Sequence, residues 1–182
     1  MRKLAIVLAM MAGPAFSAGL EIEVAGDGAN GTIKIDLLED VAPAHVTQIT
    51  TLAADGKYDG VVFHRVINGF MAQTGDVQFG KDPANTQRAG MGGSDLPDIP
   101  AEFSKLAFER GVVGMARSQN PNSANSQFFI MFAPGYFLNG QYTVVGQVTE
   151  GMDIVDAIKR GDPRTGSVDG TPDMMKSVKV TQ

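Results

Sequence analysis

The stretch FHRVINGFMAQTGD, residues 63–76, sets one arginine, Arg65, among Phe63, Phe70, Met71 and Gln73, and it turns at Asn68-Gly69. Two strand-like runs on either side of Asn-Gly suggest a β-hairpin. A strand bound for the core should not carry Arg65, because burying an unpaired charge is expensive. A face bound for water should not set Phe70 and Met71 beside it. The mixture is either a surface accident or a pocket built to hold something both apolar and polar.

Working outward, GLEIEVA (19–25) alternates Leu20, Ile22 and Val24 with Glu21 and Glu23, and GTIKIDL (31–37) alternates Ile33, Ile35 and Leu37 with Lys34 and Asp36. Both have the period of half-buried strands. Between them GDGANG matches G-x-G-x-x-G, but a strand follows where a dinucleotide fingerprint needs a helix. The glycines therefore read as a turn. Pro43 opens a helix that runs to the stop at Gly56, with Val46, Ile49 and Ala53 on one face and His45 solvated or capping near its start. Residues 77–100, rich in Gly, Asp, Asn and Pro, read as a long loop, and loops of that length in a compact domain are usually functional or mobile.

GVVGMARS, SQFFIMFA, YTVVGQV and SVKVTQ are further strands. EGMDIVDAIKRGD is a second helix, with Val155 and Ile158 inward, an Asp156–Arg160 pair outward and Gly161 as its stop. Many short strands and only two helices suggest a mainly β, antiparallel barrel or sandwich.

The 182 residues, 43% hydrophobic and 19% charged, fit one soluble domain. Residues 1–17 have two basic residues, a short apolar run and then small residues, the order of a secretory signal peptide, with cleavage expected after Ser17. Residues 18–182 would form the mature domain. Losing Arg2 and Lys3 takes the formal charge from −5 to −7, a poor match for a nucleic-acid backbone. With no later membrane span, the expected location is the periplasm. No cysteine is present, so a disulfide framework, a thiolate nucleophile and a Cys-based zinc site are excluded.

The two histidines, His45 and His64, have no clustered carboxylates, and neither H-E-x-x-H nor G-x-S-x-G occurs. No cofactor or metal is expected. Strand parity then sorts SQFFIMF into a core-like face of Phe128, Ile130 and Phe132 and a mixed face of Gln127, Phe129 and Met131. Met71 and Gln73 share a face in the same way. These residues suit a shallow binding surface, although composition alone favours the wetter side of a barrel.

FHRVINGFMAQTGD, GMARSQNPNSANSQFFI and FLNGQYTVVGQVTEGMDIV together resemble the signature blocks of the cyclophilin-type peptidyl-prolyl cis-trans isomerases, in order and over nearly the whole mature chain. The resemblance implies an eight-stranded antiparallel closed barrel capped by two α-helices. It also implies isomerisation of X-Pro peptide bonds by a monomer that assists the folding of exported proteins. Its partners would be proline-containing unfolded or partly folded polypeptides, with no nucleic acid and no stable membrane insertion. A chaperone or scaffold that binds proline segments with little turnover is the alternative.

By the same resemblance Arg65 is the catalytic donor, and Phe70, Met71, Phe129 and Leu138 line the proline pocket. Gln73 holds the arginine and the substrate carbonyl, Ala116 and Arg117 offer backbone bonds to the substrate, and Gln127, Phe137 and Tyr142 complete the rim. Parity turns His64 to the opposite face, which leaves it a supporting role. Four positions depart from the common pattern: Asn68 replaces proline, Phe137 tryptophan, Tyr142 histidine and Arg117 asparagine. The loss of an indole N–H at Phe137 weakens the expectation of cyclosporin binding.

Overall fold

A computed structural model describes residues 18–82 and 86–182. The expected signal peptide, residues 1–17, lies outside the described residues. Nine strands occur among them: β1 (Gly19–Ala25), β2 (Gly31–Leu37), β3 (Val61–Val62), β4 (Arg65–Ile67), β5 (Met71–Thr74), β6 (Val112–Met115), β7 (Phe128–Met131), β8 (Val144–Glu150) and β9 (Met174–Thr181). All pair antiparallel in one sheet of order β3-β9-β1-β2-β8-β6-β7-β5-β4. The expected count of eight becomes nine because Phe63 and His64 interrupt the run that precedes Asn68-Gly69. The resulting pieces, β3 and β4, lie at opposite ends of the strand order.

The sheet curls round a core in which the predicted alternation holds. Leu20, Ile22 and Val24 from β1 and Ile33, Ile35 and Leu37 from β2 are buried together with Ala72, Val113, Phe128, Ile130 and Phe132. The Gly26–Gly31 segment turns between two antiparallel strands, as expected. Helix α1 (Pro43–Ala54) buries Val46, Ile49, Leu52 and Ala53 on the same core. Its N-terminus carries no local side-chain cap. Instead the Glu102 carboxylate, 57 residues away in sequence, accepts the N–H groups of Ala44 and His45 at 3.2 and 3.1 Å.

The expectation of a solvated or capping His45 is wrong. Its side chain is fully buried, with Nδ1 2.6 Å from a Glu102 oxygen. Burial opposes ionisation of Glu102, but the His45 ring and the two helix N–H groups outweigh it and hold that carboxyl below its ordinary range. Helix α2 (Met152–Ala157) is shorter than expected, with Val155 and Ile158 buried as read. The Asp156 carboxylate pairs with Arg110 at 2.7 Å, and Arg160 instead donates to the Asp156 backbone oxygen at 2.9 Å. Arg160 also lies 4.0 Å over the Phe132 ring and reaches Asn68 Oδ1 at 3.2 Å, which ties the β4–β5 turn to the end of α2.

A second apolar cluster, Met71, Phe108, Val112, Phe129, Met131, Leu138 and Val144, is separate from the main core. Along β5 and β7 successive residues divide between the two clusters, as strand geometry requires. Val66 and Ala72 turn to the core, so Arg65 and Ile67 of β4 and Met71 and Gln73 of β5 share the other face. The register sets Arg65 opposite Gln73 and Gln73 opposite Phe129, one row across three strands. Phe129 in turn faces Gly114, where a Cβ would lie 2.6 Å from the Phe108 and Phe129 rings. The missing side chain is what lets those two rings stack at 5.8 Å.

Candidate active site

The row ends in a cavity of about 280 Å³. Phe70, Met71, Phe129, Leu138 and Phe137 form its apolar wall, and Arg65, Gln73, Ala116, Arg117 and Tyr142 supply the polar edge. Ten residues expected at the site therefore meet in one place. Phe129 and Leu138 are nearly buried at the floor, whereas Phe137 is 67% exposed at the rim, on a turn of 3₁₀ helix (Tyr136–Leu138). Phe70 and Phe137 pack at 5.4 Å, and Tyr142 stands edge-on to Phe129 at 5.9 Å.

Arg65 is half-buried at the lip. Its Nε donates to the Thr165 carbonyl at 3.1 Å, and Nη1 donates to Gln73 Oε1 at 3.3 Å and lies 3.9 Å from Met71 Sδ. Nη2 makes no hydrogen bond among the described residues. Partial burial lowers the guanidinium pKa from its ordinary value, yet an arginine remains charged at physiological pH. A charged fork is thus held by two of its nitrogens while the third stays free.

Thr165 carries no signal in FHRVINGFMAQTGD and was missed. The Asp162 carboxylate folds its loop, accepting N–H bonds from Arg164 at 3.0 Å and Thr165 at 2.9 Å. These bonds hold the carboxyl below its ordinary range. The sequence DPRTG marks such a turn, but nothing in it says that the turn meets Arg65, 100 residues away.

Other residues refine the expectation. The Ala116 N–H is taken by the Gln127 carbonyl at 2.9 Å, so its backbone can offer a substrate its carbonyl and not its N–H. Arg117 lies 4.4 Å over the Tyr142 ring and donates twice to the Gln141 carbonyl, at 3.2 and 2.8 Å. Its guanidinium staples two rim loops together. Gln127 lines a neighbouring polar cavity of about 460 Å³, which shares Gln73, Ala116 and Arg117 with the first.

His64 lines neither cavity. It is 8% exposed, lies against Gly90, and has no well-placed partner for either ring nitrogen. Burial pushes its pKa down to about 4, only partly offset by the Asp76 carboxylate. The supporting role expected of it is not one of lining the proline cavity, for it lies in the break between β3 and β4.

Among the described residues no helix is long and apolar enough to cross a membrane. The family model described as cyclophilin type peptidyl-prolyl cis-trans isomerase/CLD matches residues 20–182. A probable peptidyl-prolyl cis-trans isomerase of Brucella suis is 59% identical over 154 residues, covering 84% of this chain and 78% of that protein. Among solved structures, the cyclophilin AquaCyp293 from Hirschia baltica aligns with a TM-score of 0.70 and 26% identity, over 88% of this chain and 72% of that one. A cyclophilin type peptidyl-prolyl cis-trans isomerase of Cryptosporidium parvum, crystallised in the presence of the dipeptide Ala-Pro, aligns with a TM-score of 0.74 and 26% identity, over 90% of this chain and 99% of that one. With its signature residues gathered round one cavity and the family model spanning nearly all of its described length, the chain belongs to the cyclophilin-type peptidyl-prolyl cis-trans isomerases.

Proposed function

We propose that Arg65 is the catalytic residue of this isomerase and that the 280 Å³ cavity receives the substrate proline. An X-Pro bond rotates slowly because twisting breaks amide resonance, over a barrier of about 18–20 kcal/mol. No covalent bond need break. The twisted amide has a pyramidal nitrogen bearing a lone pair and a reoriented carbonyl, so a fixed donor aimed at it binds the transition state better than either planar isomer. Phe70, Met71, Phe129 and Leu138 would grip the pyrrolidine ring while Arg65 supplies the donor. Lowering the barrier by about 7 kcal/mol would accelerate exchange roughly 10⁵-fold.

The observation that carries this reading is the unspent Nη2 of Arg65, on a guanidinium otherwise fixed by Thr165 and Gln73. A groove that only bound proline segments would need no charge at the amide, which argues against the chaperone or scaffold alternative. The Ala116 carbonyl, Gln73 and the rim residues Phe137 and Tyr142 would hold the flanking peptide. The proposal extends to residues 1–17 as an export signal, to a periplasmic location and to monomeric action on exported polypeptides. It also includes closure of the sheet as a barrel. Only Phe63 and His64 separate its two edge strands, and the Thr74 hydroxyl of β5 donates to the Val62 carbonyl of β3 at 3.0 Å. Exchange spectroscopy on an Ala-Pro peptide tests the core of the proposal. Cross-peaks between cis and trans lines at catalytic protein concentration are expected, and saturable binding without exchange would favour the scaffold.

A further inference from the structure

The loop after β5 is organised round one buried carboxylate. Asp76 is fully buried. Its Oδ1 accepts the N–H groups of Gln78 at 3.1 Å and Phe79 at 2.9 Å, and its Oδ2 those of Gly90 at 2.7 Å and Gly92 at 2.9 Å. Four donors on one carboxylate satisfy its charge without a cation. The fit is tight, for a Cβ at Gly92 would lie 2.6 Å from Oδ1. Two segments of the loop, 78–79 and 90–92, are therefore pinned to one side chain.

Gly90 and Gly92 also present their carbonyls to the site. Gln127 Nε2 donates to both, at 3.1 and 2.7 Å. That amide cannot flip without aiming its oxygen at two carbonyl oxygens, so Oε1 must face away, where it accepts from Gln73 Nε2 at 2.9 Å. Gln73 is then left with Oε1 for Arg65 Nη1, at 3.3 Å. Each amide orientation dictates the next, and the chain of choices begins at the two glycines that Asp76 holds.

We propose that Asp76 is a positioning residue for isomerisation, aiming the Arg65 guanidinium through the Gly90 and Gly92 carbonyls and the Gln127 and Gln73 amides. The proposal rests on Arg65 as the catalytic donor. It gives the long glycine-rich loop a role that its distance from Arg65 in sequence conceals. Misaiming a positioned group by about 1 Å can cost as much as 10²-fold in rate, even when the altered residue is remote.

The test is Asp76→Asn, which keeps the side-chain shape but turns an amide NH₂ toward two of the four N–H donors. On-enzyme exchange of an Ala-Pro peptide should fall about tenfold while its Kd changes less than about twofold, and the Arg65 Nε–H resonance should shift. Asp173→Asn is the control. That carboxylate is also buried and also pins backbone, accepting from Gly28 at 2.9 Å and Lys159 at 2.8 Å, but it feeds no bond to Arg65. It should lower the Tm and leave exchange at the wild-type rate.

If Asp76→Asn does not fold, Gly90→Ala decides. This change strains a φ of +95° and crowds His64, moving the same carbonyl without altering the carboxylate. It should give the same loss of rate at unchanged Kd. Wild-type exchange in a folded Asp76→Asn or Gly90→Ala protein, or an equal loss in Asp173→Asn, would overturn the inference. If Arg65→Ala itself exchanges at the wild-type rate, it is the reading of Arg65 that fails.

Discussion

Acidification should unfold this protein through His64, and the size of the effect follows from its burial. The imidazole is 8% exposed without a well-placed hydrogen-bond partner, and its pKa falls from 6.5 to about 4. The unfolded chain therefore takes up a proton near pH 6.5 that the folded chain refuses until about pH 4. Stability from this residue is complete above the unfolded pKa and is lost as pH falls through that window. The difference is about 3 kcal/mol in total, of which about 2 kcal/mol disappears between pH 7 and pH 5. Urea unfolding at several pH values, for the wild type and for His64→Gln, isolates the effect, because the carboxylates are common to both. The wild type should lose about 2 kcal/mol more than the variant between pH 7 and pH 5. Parallel pH dependences would show that His64 takes up its proton in the folded state and would refute the reasoning.

Two substitutions test other parts of the framework. Gln73→Leu removes the Nη1 acceptor of Arg65 and breaks the link to Gln127. It should lower kcat about tenfold and, through the lost peptide contact, raise KM by a smaller factor, measured by coupled-protease or exchange assay. Tyr58→Phe deletes a fully buried hydroxyl that donates to the Ser126 carbonyl at 2.8 Å and leaves that carbonyl unpaired. A loss of about 1–3 kcal/mol in urea unfolding is expected, with exchange activity retained.

Local pattern made most of the fold legible. Alternation along β1 and β2 correctly separates buried from exposed residues, and parity on SQFFIMF separates Phe128 and Ile130 from Phe129 and Met131. That mixed face is not wet, however. Phe129 and Met131 are almost completely buried, because Phe108, Leu138 and Val144 arrive from other parts of the chain to cover them. His45 was misread for a related reason: a polar residue in a first helical turn looks solvated until Glu102 comes to it from 57 residues away.

At the site, the residues that form the cavity wall lie inside the three signature blocks and were all identifiable. Of those that aim Arg65, Gln73 and Gln127 were identifiable, and Thr165 and Asp76 were not. Thr165 contributes only a carbonyl, and Asp76 acts through backbone N–H groups, so neither leaves a side-chain pattern that spacing could reveal. His64 shows the opposite case. It sits beside the catalytic position in sequence, yet it falls in the break between β3 and β4 and lines neither cavity.

The central claim is that the free donor of Arg65 acts on the amide as it twists. The most direct measurement is exchange spectroscopy on a saturating Ala-Pro peptide with the wild type, Arg65→Lys and Arg65→Ala, alongside peptide affinity from chemical-shift titration. The account predicts that both variants still bind at Phe129, while on-enzyme exchange falls at least about 10²-fold in each, because a lysine keeps the charge but not the fork held by Thr165 and Gln73. Wild-type exchange in Arg65→Ala would contradict it.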